Sequence, residues 1–239
     1  MITHRTGTTM MALAMLAMTA GTAHAAPIGP SAYLQASDSP FTGIDFSSGY
    51  FFLEDFEDHL LNTPGATGLS GGVTSVVFGP SIHDSVDADD GAIDGSGLLG
   101  DDWFNSGAST GFSFSEVVLG SLPTHAGLVW TDGPFRTGVT FNAYGADGTT
   151  VVCSASGAII GDDTFSGTTA EDRFFGCIDP AGISRIEFIN SLGGGIEVDH
   201  LQYGMVDGDV TAVPEPGTLA LFGIGSAMLS LRNRRKRRV

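Results

Sequence analysis

The sequence predicts an all-β chain: an antiparallel two-sheet β-sandwich, jelly-roll-like, over residues 26–212. Three observations carry that prediction. Apolar residues between Ile28 and Ala212 show no helical period. Short β-rich runs alternate instead with clusters of Gly, Asp, Asn and Pro, the punctuation of strands joined by turns. The segment is also long enough to bury a core of its own, and 35 glycines among 239 residues favour turns over helices.

A signal peptide is expected first, over residues 1–25. His4 and Arg5 form a polar start, Met10 to Ala20 an Ala/Met/Leu run, and Ala23-His24-Ala25 a small-x-small cleavage site. The run is too short for a second membrane anchor. The predicted strands follow at 50–56, 73–78, 111–119, 127–131, 138–144, 149–154, 173–178, 183–190 and 195–203. Asp147-Gly148 is a hairpin signal that sets VTFNAY antiparallel to TTVVCS, and Gly193-Gly194-Gly195 could do the same for IEFIN and IEVDHLQY. Trp103-Phe104-Asn105-Ser106 reads as a turn. The cysteines, Cys153 and Cys177, end predicted strands, and an even pair in a secreted chain predicts a disulfide, with two buried free thiols as the alternative.

The last stretch, residues 213–239, has three parts in fixed order. Val213-Pro214-Glu215-Pro216 is a stiff extended turn, because each proline fixes its own backbone and excludes helix before it. Residues 217–231 are uncharged and predict a single transmembrane helix of roughly 23 Å, short of the ~30 Å hydrocarbon core. The cluster of Arg232, Arg234, Arg235, Lys236, Arg237 and Arg238 can snorkel and keeps that end cytoplasmic, so the domain faces outward.

This order resembles the PEP-CTERM sorting signal of exported proteins in Gram-negative bacteria that make extracellular polysaccharide. The resemblance implies recognition and cleavage by a membrane-embedded cysteine transpeptidase-like enzyme, exosortase. It implies a precursor held in the inner membrane facing the periplasm, then a cell-surface or matrix protein. An early FED segment, LPTHAGLVWTDG, TAEDRFFG and GGGIEVDHLQYG are similar to motifs of one subgroup of these proteins, which has no assigned activity.

Charge narrows the partners. The chain has 27 acids and 10 bases, but Arg5 precedes the domain and the six tail cations follow it. Arg136, Arg173 and Arg185 therefore face every acid except Glu215. Nucleic acid, which needs a basic face, is excluded as a partner. Acids in flexible loops suit calcium, a hard cation with oxygen ligands. No EF-hand fits around Gly91, since Val86 and Ala88 stand where carboxylates belong, so any site must be assembled across loops. Sandwiches similar to carbohydrate-binding jelly rolls pair first and last strands around a structural calcium. On that likeness FEDHL and EVDHL make Glu57, Asp58 and Asp199 candidate ligands, with Asp87, Asp89 and Asp90 a second set.

Other chemistries fit less well. Asp58-His59 and Asp199-His200 could serve zinc, but neighbours on a strand face opposite ways unless a bulge intervenes. His83 and His125 read as surface or turn residues. Gly107-Ala108-Ser109-Thr110-Gly111 has the letters of a nucleophile elbow without the strand before and helix after it that the elbow needs. Trp130, in the apolar run GLVWT, reads as core, whereas Trp103 beside Asp101-Asp102 reads as an exposed platform for sugar rings. The expected function is a non-enzymatic surface or matrix protein in contact with exopolysaccharide. A carbohydrate-active enzyme on the same scaffold and a ligand-free spacer are the alternatives.

Overall fold

A computed structural model describes residues 24–74, 83–95, 97–132, 139–157, 160 and 171–207. In chain order its strands are β1 (Ala26–Ala32), β2 (Tyr50–Glu54), β3 (Ala66–Ser70), β4 (Gly72–Val73), β5 (Trp103–Asn105), β6 (Ser109–Phe114), β7 (His125–Asp132), β8 (Val139–Gly145), β9 (Val151–Gly157), β10 (Arg173–Ile178), β11 (Ile183–Asn190) and β12 (Ile196–Met205). The helical elements among the described residues are one α-helical turn, α1 (Glu116–Leu119), and the 3-10 turns at Ala36–Asp38 and Asp87–Asp90. The larger sheet has the order β1-β10-β7-β12-β5-β4, with β2 pairing the far half of β12; the smaller has β3-β6-β11-β8-β9. Every pairing is antiparallel.

Strand alternation builds the interior. Leu128 and Trp130 of β7, Phe175 of β10 and Val198 of β12 meet Phe112, Phe141, Ile186 and Phe188 from the smaller sheet. Phe188 packs edge-on against Phe141 and Phe175 at centroid distances of 5.5 and 5.0 Å, and each buried phenyl contributes roughly 1.5–3 kcal/mol. The disulfide Cys153–Cys177 joins β9 to β10 across this core. Val129 and Phe174 point the other way and join Tyr33, Phe41 and Val86 in a second cluster on the outer face of the larger sheet.

β10 and β11 have the predicted limits, and β8 and β9 form the predicted hairpin, with Gly148 at φ 72 supplying the left-handed turn position. β11 and β12 do not form a hairpin. They lie in different sheets, so the triple glycine carries the chain across the sandwich. The expected strand 111–119 stops at Phe114: Ser115 donates its amide to Gly65, and residues 116–119 coil outward with Val117 and Val118 exposed. β1, β3 and β5 were not predicted. No helix among the described residues is long and apolar enough to cross a membrane. The sorting motif 213–216, the expected span 217–231, the tail cations and the expected signal peptide up to residue 23 lie outside the described residues.

Candidate functional site

The site is built on the outer face of β12. Ile196 and Val198 point into the core, so Glu197 and Asp199 alternate outward. Outward carboxylates are ordinarily hydrated, but the segment from His83 to Gly91 lies over these. The Asp84 amide donates to Glu197 Oε2 at 3.1 Å and the Val86 amide to Asp199 Oδ2 at 2.9 Å, so alternate amides of the loop meet alternate acids of the strand. Gly97 lets a second backbone stretch close against the first. Its carbonyl accepts from the Ser85 amide at 3.1 Å and hydroxyl at 2.7 Å, and a Cβ there would collide with the Ser85 carbonyl. Glu197 and Asp199 end up 2 % and 0 % exposed.

β12 carries one residue more than β7 between Asp199 and Gln202, and His200 takes φ 43 at this bulge. The bulge supplies what regular alternation lacks: Asp199 and His200 share a side. One oxygen each of Asp89 and Asp199 and one nitrogen of His200 lie within 4.8 Å of one another. His200 Nε2 is 3.0 Å from Asp89 Oδ2, and Nδ1 is 2.8 Å from the Tyr33 hydroxyl, which also accepts from Gln202 Nε2 at 2.9 Å. Ser39 Oγ in turn donates to Gln202 Oε1. Burial first, then the charge of Asp89, pushes the Asp199 carboxyl well above the usual range. As a hydrogen-bond network the set leaves Asp89 Oδ2 without a partner. As a metal site it offers one imidazole and two carboxylates, a donor set closer to zinc than to calcium.

The structure brings together one member of each predicted calcium set, Asp89 and Asp199. Glu57 stands near them: its Oε1 accepts the Asp101 amide at 2.7 Å, and burial, with the charges of Asp89 and Asp101, raises it to about 7. Asp58 is exposed and accepts from the Leu60 amide and Asn62 Nδ2. Asp87 braces the amides of Asp94 and Gly95, and Asp90 accepts from Ala92. The zinc pairing of His59 with His200 does not form, since His59 binds Asp101 instead.

Three readings need correction. Trp103 is no exposed platform: it is 8 % exposed, lies 5.2 Å from Phe112 and 5.9 Å from Phe56, and donates Nε1 to the Ser70 carbonyl and Thr110 Oγ1. Its acidic neighbours mislead because they are buried too. His83 is no surface residue, since Nδ1 lies 2.6 Å from Glu197 Oε1 and the ring stacks on Phe104. His125 sits among Phe41 and Phe46, where desolvation lowers it to about 4. Ser109 opens β6 with strand after it, so no elbow forms. Sequence reasoning did not single out Asp84, Asp102 and Asp172, and each is buried. The one signal was that each sits beside a predicted strand or in a Gly-rich loop.

The described chain is thus an all-β, sandwich-like protein that buries an acidic face beneath a loop. Residues 212–236 match the family model of the PEP-CTERM protein-sorting motif, consistent with the sorting domain of an exosortase substrate. No curated protein and no solved structure matches the chain.

Proposed function

We propose that this protein is an exported, non-enzymatic sandwich that an exosortase-type enzyme processes at its tail and delivers to the cell surface or matrix. There it contacts exopolysaccharide. The observation that carries this reading is the sorting motif at residues 212–236 behind an all-β domain. The expected export signal at 1–25 and membrane helix at 217–231 fit it. β2-β12-β7-β10 facing β6-β11-β8-β9 fits the strand order of a jelly roll, with β1, β3, β4 and β5 added at the edges. The acids best placed for chemistry support a structural role, because Asp84, Asp102 and Asp199 are at most 1 % exposed and no polymer can reach them. Calcium is the structural cofactor we propose for the domain.

The test is the mass of the carboxyl end. In a host with the sorting enzyme, the mature protein is expected to lack the residues behind Pro214-Glu215-Pro216, while a variant with all three replaced by alanine keeps them and stays with the membrane. An intact carboxyl end in both proteins would overturn the reading.

A further inference from the structure

We propose that Asp84, Asp102 and Asp172, together with Glu197, bind one divalent cation, calcium by their donor chemistry, at the end of the larger sheet. The topology gathers them. Asp102 immediately precedes β5, Asp172 immediately precedes β10, and Glu197, the second residue of β12, lies opposite Phe104 of β5 and Asp132 of β7. The covering loop then lays Asp84 over the group through its amide bond to Glu197.

Burial and partners point to a missing cation. Asp84 and Asp172 are 0 % exposed and Asp102 1 %, and neither carboxylate oxygen of any of the three has a hydrogen-bond partner. The Gly97 amide, the Thr74 hydroxyl and the Asp87 amide come near them without satisfying an oxygen. Buried polar atoms are ordinarily paired, and unpaired carboxylates are among the most costly groups to bury. The acids lie within electrostatic reach of one another: Glu197 acts on Asp84 and Asp102, and Asp84 on Asp102 and Asp172. Of the two described arginines, Arg173 donates Nη1 to the Asp172 carbonyl at 2.8 Å and opposes these effects at Asp172, and Arg185 lies over the Tyr144 ring in the other sheet.

Hard oxygen donors without sulfur suit calcium, which takes 6–8 oxygens in flexible geometry. Among the described residues the ligand atoms already within 4.8 Å of one another are those of Asp89, Asp199 and His200, so the four acids stand wider than a closed coordination shell. A dication would displace their protons and draw the oxygens in. In the Asp89–Asp199–His200 set the imidazole is engaged on both sides and Asp199 accepts two backbone amides, leaving Asp89 Oδ2 as its one unpaired oxygen, against six on Asp84, Asp102 and Asp172.

This placement rests on the proposal of a structural calcium, and the experiment separates the two. The full-length chain, purified in detergent and stripped with a chelator, is titrated with terbium under tryptophan excitation and with calcium in thermal melts. Saturable terbium luminescence that calcium displaces is expected, with a rise in melting midpoint. Asp84→Asn and Asp102→Asn should each weaken calcium binding ~10-fold or more. Both should also raise the midpoint of the calcium-free protein, a gain that a carboxylate needed only for folding would not give. Asp172→Asn serves where either fails to fold. Asp147→Asn, in the exposed β8–β9 turn, should leave the response unchanged. Absence of both responses in the unsubstituted protein overturns ion and placement together. A response that survives Asp84→Asn and Asp102→Asn but is lost in Asp89→Asn overturns the placement alone.

Discussion

Between the sheets, Phe141, Phe175 and Phe188 fill the sandwich with carbon, while on the other face of the larger sheet Glu197, Asp199 and His200 lie just as deep beneath the 83–91 loop. The two faces are equally dry but behave differently. Apolar contacts hold at any pH and any ion concentration, whereas buried carboxylates need protons, partners or cations before burial becomes tolerable. Equal burial is therefore no measure of equal contribution. One face sets the stability of the fold, and the other makes that stability depend on the medium.

The largest effect should come from the carbon side. Phe175→Ala is expected to lose about 3–5 kcal/mol, measured by urea unfolding, with the same loss in calcium and in chelator. A loss that changed with calcium would break the contrast. Replacing Cys153 and Cys177 together by serine should cost ~3 kcal/mol, since the bridge spans a sequence separation of 24. That loss too should be blind to calcium.

A pH series sharpens the acidic side. In chelator, the folded state keeps protons on Asp84, raised to about 8, on Asp172, raised to about 10, and on Glu57, raised to about 7. The unfolded chain releases them near the ordinary carboxyl range of about 4. The folded state thus binds more protons than the unfolded one across that window, and stability must fall as pH rises from about 4 to about 8. A drop in melting midpoint of roughly 5 °C or more is expected, and calcium should flatten it. A flat profile in chelator would mean the carboxylates carry no burden. The smallest effect belongs to Tyr33→Phe, which leaves His200 Nδ1 and Gln202 Nε2 without their partner. It should cost about 1–2 kcal/mol by thermal melting.

What could be read from the sequence follows from what is local. The runs RFFGCI and ISRIEFIN, separated by a Pro-Ala-Gly turn, announce β10 and β11 to the residue, and the even pair of cysteines announces the bridge. The short strands were hidden because β1 contains two prolines, β3 centres on a glycine, and β5 has only three residues beside two aspartates. The site was legible in composition and illegible in assembly. The pairing of β2 with β12 was expected, but it ends at Glu54 opposite Leu201 and leaves FEDHL outside the ladder. The extra residue at Asp199-His200 leaves no mark in the letters, and whether an aspartate beside a strand meets water or other aspartates depends on where a distant loop comes to rest.

One topological feature bears on how such a protein reaches its destination. β12 lies in the middle of the larger sheet, yet it is the last strand in the described chain, and its partners Asp84 and Tyr33 precede it by 113 and more residues. If the chain is exported amino end first, as the proposed function has it, this sheet cannot be finished until residues close to the sorting motif at 212–236 have crossed. On the export reading proposed above, completion of the fold and passage of the sorting motif would fall at nearly the same moment.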